Sequence, residues 1–383
     1  MRVNTIYGGK SIWQTDRKSI LTNTRAERHA SPFPEIEVQS MTKYTNKDLA
    51  EMKRWPLERK IRVTQLRIME WYMHYHGKVV ISFSGGIDST VLLDLARRVY
   101  PDIKAVFVNT TMEYPEIVKF VKGFPDVDMI MPQKNYTEVI KEYGYPVISK
   151  EVSSYIYRMK TYDGCMEAYK NGVHLMPMEW LRENFSAIPF SFMKTMFGFS
   201  RKYAEEFLRT GIMPPSKFSI PKRWQYLIEA PFMINDRCCY HLKKAPISRY
   251  CKETGLKTIV GTLAEESLMR KQAWLKQGCN AFEAKEPKSS PLSFWTHQDI
   301  LQYLYVTQIP YCELYGEIKQ TDHGLFYTTG YQRTGCAGCL YGCHLEKEPN
   351  RLQRLKISHP ALYNYLFEKL DYKTVCDYIG IPY

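Results

Sequence analysis

Residues 78 to 100, KVVISFSGGIDSTVLLDLARRVY, constrain this chain more than any other stretch. Val79 to Phe83 is a short apolar run of the kind that forms a strand buried on both faces. Val91, Leu92, Leu95, Ala96 and Val99 then recur at helical spacing. Between the two lies Ser84-Gly85-Gly86-Ile87-Asp88-Ser89-Thr90. Strand, glycine turn and helix in direct succession predict an α/β sheet with a ligand turn at the strand's carboxyl end. The glycines let the backbone bend sharply and come close to a ligand. Amides of the turn and of the first helical turn converge and favour an anion. Ser84, Ser89 and Thr90 add hydroxyl donors. Asp88, an acid beside a phosphate cradle, makes sense if a divalent cation such as Mg2+ bridges it to the phosphates. The spacings of a Walker A loop and of a dinucleotide fingerprint are both missing.

The pattern SGGxDS resembles the PP-loop of the ATP pyrophosphatases, a group that includes sulfonucleotide reductases, tRNA thiolases, amidotransferase synthetases and phosphorothioation sulfurtransferases. The resemblance implies an adenine nucleotide, ATP, held by Ser84, Gly85, Gly86, Asp88, Ser89 and Thr90. Ile87 stands where many members have lysine, so a phosphate contact from that position is lost. A second strand, Ile103 to Val108, ends in Asn109-Thr110-Thr111-Met112-Glu113. This is similar to the group's second nucleotide turn, usually Asp-Thr-Gly-x-Glu, and implies nucleotide contacts from Asn109, Thr110 and Glu113. Asn109 replaces the acid and Thr111 the glycine.

The rest of the chain reads as five segments. Residues 1–44 look like a basic extension. Residues 45–150 form the first part of the nucleotide-binding core, with helical spacing from Thr45 to His76, a helix from Pro115 to Lys122, a strand from Val127 to Met131 and a helix from Tyr136 to Tyr143. Residues 151–225 interleave basic and aromatic side chains and predict a helical insertion. Such interleaving suits stacking and backbone contact with extruded or single-stranded nucleic acid. The same stretch reads equally as a helical subdomain whose aromatics form its own core, and that reading is taken first. Residues 226–320 complete the core with a strand at Thr258–Val260 and a helix from Trp295 to Tyr305 capped by Thr296. Residues 321–383 form a cysteine-bearing and helical C-terminal region.

The ten cysteines are unevenly placed. Cys238-Cys239 form a vicinal pair, and Cys336-Ala337-Gly338-Cys339 is a CxxC followed by Cys343. A CxxC alone is compatible with redox, zinc or iron–sulfur chemistry. Adjacent cysteines on an extended chain splay apart, which a larger cubane tolerates better than one zinc ion. A 4Fe–4S cluster held by Cys238, Cys239, Cys336 and Cys339 is therefore preferred over Zn2+.

Cys-Cys followed by lysine and proline, a Gly-x-x-Ala-x-Glu-Ser-x-x-Arg segment from Gly261 to Arg270, and the later CxxC resemble the phosphoadenosine phosphosulfate reductase family. The resemblance runs from about Lys47 to Tyr383. It implies an adenine nucleotide alpha-hydrolase-like fold: α/β, doubly wound, with a mostly parallel sheet. It also implies that Arg237, Lys243 and Lys244 face the anionic group near the cluster, and that Gly261, Glu266, Ser267 and Arg270 sit at the phosphate end. Leu263 stands where reductases commonly have arginine. The reductases' C-terminal Glu-Cys-Gly-Leu-His or Glu-Cys-Gly-Ile-His segment is missing; Thr374-Val375-Cys376-Asp377 has a cysteine and none of that motif. The C-terminal region instead resembles phage and mobile-element relatives, with the phosphorothioation sulfurtransferases as the better model.

The expectation is an ATP pyrophosphatase-type enzyme that adenylates an acceptor for sulfur transfer, with Asp88, Ser84, Lys243 and Arg270 as catalytic residues. A sulfonucleotide reductase using Cys376 or Cys343 is the first alternative. A non-enzymatic, nucleotide-gated nucleic-acid binder in a defence or modification complex is the second. The net charge of +13 suits a polyanionic partner, DNA or tRNA, and sulfur transfer implies a sulfur-donor protein. No apolar run approaches a transmembrane span and the N-terminus lacks a signal peptide's apolar middle, so a cytoplasmic chain without a membrane partner is expected.

Overall fold

A computed structural model of the chain describes residues 44–213 and 218–383, so the predicted extension lies outside the described residues but for Tyr44. Thr45 closes a capping box with Asp48 at the start of α1 (Asn46–Lys53), and Pro56 opens α2 (Leu57–His74). The apolar run becomes β1 (Val79–Ser82), and the helix behind the glycine turn is α3 (Ile87–Arg97). There follow β2 (Ala105–Val108), α4 (Pro115–Lys122), β3 (Val127–Ile130) and α5 (Tyr136–Tyr143). Pro at the start of α4 and the Asn135–Glu138 capping box of α5 set these helix starts where the sequence placed them.

After the short β4 (Val147–Ile148), the insertion is helical: α6 (Lys150–Thr161), α7 (Cys165–Lys170), α8 (Met178–Glu183), α9 (Phe190–Phe197) and α10 (Arg201–Thr210). Phe192, Phe199 and Phe207 are buried, and Phe199 meets Phe207 edge-on at 5.2 Å. Of the twelve aromatics from Tyr155 to Phe207, only Tyr162 and Phe190 are exposed, at 47% and 39%. Phe192, Phe199 and Phe207 thus join the core that the insertion shares with the rest of the described chain, rather than a separate core of the insertion's own.

The chain returns through α11 (Ala245–Thr254), β5 (Lys257–Val260), α12 (Leu268–Gln277), β6 (Asn280–Ala281), β7 (Lys288–Ser289) and α13 (His297–Thr307). A hairpin of β8 (Ile318–Gln320) and β9 (Phe326–Thr328), the short β10 (Leu340–Tyr341) and helices α14 (Arg351–Ser358), α15 (Pro360–Asn364) and α16 (Tyr372–Ile379) complete it. No helix of the described residues is long and apolar enough to cross a membrane.

The main sheet has the order β3-β2-β1-β5-β7-β6, parallel except for the β6 edge. From β1 the chain moves outward through β2 and β3, then returns to the other side of β1 as β5. That reversal opens a crevice beyond the carboxyl ends of β1 and β5, where open α/β sheets bind ligands. The fold is therefore α/β and mostly parallel. The described parts of all four segments from residue 45 onward share one hydrophobic core.

Candidate functional site

The glycine turn occupies that crevice. Gly85 has φ +72°, and a Cβ there would lie 2.9 Å from the methyls of Ile117 and Val121. Gly86 caps α3. The Ser89 and Thr90 hydroxyls donate to the Gly86 carbonyl at 2.9 and 3.0 Å. The Ser84 amide donates to Ser89 Oγ at 3.1 Å. Ser89 and Thr90, expected as ligand donors, thus hold the turn closed, while Ser84 stays exposed beside the helix N-terminus. Gly261, at the end of β5, faces the backbone of α3: a Cβ there would lie 3.0 Å from the Asp88 carbonyl and 3.1 Å from Ser89 Cα. Its glycine lets β5 and the start of α3 meet backbone to backbone.

Asp88 is the electrostatic centre of the crevice. Its Oδ1 is buried and has no hydrogen-bond partner. Burial raises its carboxyl to about 6, and Arg270 and Arg333 act in the opposite direction. Arg270 pairs with Glu266, whose carboxylate also accepts from the Leu263 amide at 2.9 Å. Ser267 caps α12, accepting from the Arg270 amide at 3.3 Å. Ser267 and Glu266 therefore shape the segment that carries Arg270. The unpartnered Asp88 Oδ1 is a carboxylate donor of the kind Mg2+ takes alongside phosphate oxygens, so this residue fits that ion.

The turn after β2 points to a different neighbour. Thr111 takes the left-handed backbone, φ +67°, that glycine occupies in the family pattern. Its amide donates to Asn109 Oδ1 at 3.0 Å, and its hydroxyl accepts from the Tyr136 amide at 3.0 Å. Buried Thr110 donates to Glu113 at 2.7 Å and lies 3.5 Å from Cys336 Sγ. Lys243 Nζ reaches Glu113 at 3.5 Å. Thr110 and Glu113, expected at the nucleotide, connect the turn to the cysteines.

Four thiols from two distant segments meet there. Asn235 Oδ1 accepts from the Arg237 amide at 2.5 Å and turns the chain into a helix that begins at Cys238. Tyr240–Lys244 continue it as a π-helical turn, a feature frequent at functional sites. The vicinal pair is thus helical, not extended. Adjacent side chains on a helix diverge by about 100° rather than 180°. This corrects the geometric reason for preferring a cubane over zinc.

The CxxC is held by its own turn, Cys339 N–H to Cys336 carbonyl at 3.0 Å, and by two buried phenols. Tyr136 and Tyr372 lie 2.8 and 2.5 Å from the Gly338 carbonyl and 2.6 Å from each other. A Cβ on Gly338 would lie 2.5 Å from Tyr136 Oη and 2.8 Å from a Leu366 methyl. Pairing of β10 with β4 ties the segment to Ile148, a β-branched residue at φ +60°. The chain then enters α6, whose first residue is Lys150.

Cys238 donates to Cys239, so the Cys239 thiol is held well below its usual range, helped by Lys150 and Lys243, and the Cys238 thiol is held above it. Burial pushes Cys336 up to about 12, against the pull of Lys243, and raises Cys339. Among the described residues no group of three or more His, Cys, Asp or Glu side chains is arranged to hold a metal ion as it stands. The donor set nonetheless fits a thiolate-ligated centre in kind: four sulfurs bear on one another's ionisation, beside two lysines that offset negative charge.

Cys343 and Cys376 are 2% and 0% exposed, and burial pushes their thiols up to about 11 and about 12. Both are protonated and shielded at neutral pH, unlike an attacking thiolate.

The structure thus brings Ser84, Asp88 and Arg270 to one end of the crevice and Thr110, Glu113, Lys243 and the four cysteines to the other. The sequence reading missed Arg333, Tyr315, Thr334, Lys150, Tyr136 and Tyr372. Only Arg333-Thr334-Gly335, directly before the CxxC, carried a usable signal.

Sheet order and site together define an open α/β protein with a glycine turn and a helix N-terminus at its switch point. A family model described as the phosphoadenosine phosphosulfate reductase domain matches residues 78–169 and 193–341, and the chain belongs to that family. Adenosine 5'-phosphosulfate reductase of Geobacillus kaustophilus is 30% identical over 102 residues, covering 25% of this chain and 43% of that protein. The Bacillus anthracis protein of the same name is 34% identical over 77 residues, 19% of this chain and 34% of that protein. The chain therefore spans less than half the length of these curated relatives. A phosphoadenylyl-sulfate reductase from Candida auris, solved as a phosphate complex, has a TM-score of 0.33 at 13% identity, covering 74% of this chain and 98% of that one. That likeness carries no weight here; the fold rests on the strand order above.

Proposed function

We propose that the chain binds ATP with Mg2+ in the crevice and transfers adenylate to an acceptor that then receives sulfur. The observation that carries this reading is the buried, unpartnered Oδ1 of Asp88 at the glycine turn, within reach of the Arg270 charge. A cation held by Asp88 would neutralise the charge of a departing pyrophosphate. The amides at the start of α3 orient the phosphate chain, and Arg270 offsets charge as the bond breaks. An acceptor oxygen attacks the α-phosphorus, the bond from that phosphorus to the bridging oxygen breaks, and pyrophosphate leaves. A sulfur nucleophile then displaces AMP from the activated acceptor.

Cys238, Cys239, Cys336 and Cys339 are the residues that would hold a 4Fe–4S cluster, or Zn2+, with Lys243 and Lys150 balancing its charge. A cluster supplies a site for sulfur or electrons, and zinc a Lewis acid. A nucleic acid, DNA or tRNA, suits the net charge of +13 as acceptor, and a separate protein suits the role of sulfur donor.

A second reading, sulfonucleotide reduction, is favoured by relatives named adenosine 5'-phosphosulfate reductase. The burial of Cys343 and Cys376 weighs against it, since both alternatives for its nucleophile are shielded.

Anaerobically purified protein separates the two. The first reading expects pyrophosphate from Mg·ATP in the presence of an RNA or DNA acceptor, lost in Asp88→Asn. Sulfite and AMP from adenosine 5'-phosphosulfate with a thiol donor, and no pyrophosphate from ATP, would replace it with the second. Iron, sulfide and zinc analysis of the same preparation identifies the thiol-bound centre.

A further inference from the structure

A cation reaching the phosphate turn must come from outside the two positions where the family pattern places one. Ile87 and Leu263 are 3% and 2% exposed, so both side chains face the core and neither presents anything to the crevice. Arg270 is already paired with Glu266. Among the described residues, Arg333 is different: it is exposed and makes no ion pair.

The segment carrying Arg333 is pinned at both ends. Upstream, Tyr331 packs on Tyr114 at 5.1 Å, and its hydroxyl lies 2.8 Å from Ser358 Oγ. His359, next to Ser358, is tied to Glu116 of α4 at 2.9 Å. Downstream, Thr334 Oγ1 lies 2.6 Å from the Tyr315 hydroxyl, which accepts from the Ile87 amide of the glycine turn at 3.4 Å. A Cβ built on Gly86 would meet Tyr315 Oη at 3.2 Å and Thr334 Oγ1 at 3.4 Å. Residues 331–335 thus lie against the phosphate turn, with Arg333 beside the residue that touches it. The Arg333 charge reaches Asp88, Arg270 and His297.

We propose that Arg333 grips the phosphate chain of the bound nucleotide, supplying from the 331–335 segment the cation that Ile87 and Leu263 do not. This rests on the nucleotide reading of the crevice. A guanidinium suits the task because its planar fork bonds two phosphate oxygens at once. Two pinned ends lower the entropy lost when the segment closes on the ligand.

The test is calorimetric titration of the full chain with Mg2+ and α,β-methylene-ATP, which keeps the phosphates and blocks cleavage, and separately with adenosine. Arg333→Ala is expected to weaken the triphosphate analogue by about tenfold. Arg333→Lys is expected to recover only part of that loss, since an ammonium keeps the charge and lacks the fork; adenosine binding is expected to stay unchanged, and the ligand-free melting temperature to hold, because the side chain is exposed and unpaired. Equal loss for adenosine and the analogue would overturn the proposal, since it would mark a role in shape alone. Unchanged analogue binding in Arg333→Ala, with binding weakened in Arg270→Ala, would also overturn it and leave the nucleotide site intact. No binding of either ligand by the wild-type chain would remove the nucleotide reading itself, and this proposal with it.

Discussion

The phosphate turn and the thiol site lie at the carboxyl ends of adjacent strands, yet they are built by opposite means. The turn is held mainly by hydrogen bonds between residues at most five apart, Ser84 with Ser89, Ser89 with Gly86 and Thr90 with Gly86, with one long-range bond from the Ile87 amide to the Tyr315 hydroxyl. The thiol site is held by bonds across more than two hundred residues, Tyr136 to Gly338 and Thr110 to Cys336. A locally bonded site keeps its shape wherever strand and helix form. An assembled site exists only once the whole sheet and the C-terminal helices have closed, so its supports are exacting about volume.

The sharpest way to break this contrast is to strike each site at its centre. Asp88→Asn is expected to lower pyrophosphate release by on the order of a hundredfold or more, while the metal content of the thiol site stays at the wild-type level. Loss of metal in that variant would show that the two sites are one structural unit. Next in size, Gly338→Ala places a methyl against Tyr136 and Leu366 and is expected to cost about 3 kcal/mol in denaturant unfolding. Bound iron or zinc should fall with it. A variant as stable as wild type would mean that the CxxC turn is not clamped by the two phenols.

Asp88 also sets a pH dependence. Its folded value, about 6, lies above the ordinary carboxylate value of 3.8, so the folded state binds the proton more tightly. Stability from this group is greatest below about pH 4, where both states are protonated, and is lost as pH rises toward 6. Asp88→Asn should therefore be more stable than wild type above pH 6, by roughly 2 kcal/mol in metal-free buffer, and the two should converge at pH 4. A constant difference across that range would place the carboxylate in solvent.

Smaller effects sharpen the picture further. Tyr372→Phe removes one donor near the Gly338 carbonyl and leaves Tyr136 there, so a loss of about 1 kcal/mol is expected from urea midpoints. Thr111→Gly relieves a left-handed residue but deletes the acceptor of the Tyr136 amide. The two effects oppose each other, and the net change should stay within about 1 kcal/mol. A large loss would rank the hydroxyl above the strain.

Much of the frame was legible beforehand because its causes are local. Pro115, the Asn135–Glu138 box and the Thr296 cap fixed helix starts within a turn of chain, and α4 and α5 span the residues expected. The roles of side chains inside that frame were less legible. Ser89 and Thr90 are expected at the ligand because they lie at a helix start, and that their hydroxyls also bond the Gly86 carbonyl is not legible in the pattern. Cys238 and Cys239 were placed on extended chain, and the Asn235 turn that makes them helical depends on a contact with Gly144, ninety-one residues away.

What the sequence by itself determined is the strand, glycine turn and helix, and with them a set of backbone amides at the carboxyl end of an inner strand, because backbone amides and glycine torsions answer to immediate neighbours. Only the tertiary structure decided which cysteines share a neighbourhood, that Cys343 and Cys376 are sealed away, that Asp88 Oδ1 lacks a partner, and that Arg333 lies next to the residue that touches the turn. Each of these depends on burial and on charges brought close by distant segments, and desolvation is a property of the closed fold that no local pattern encodes.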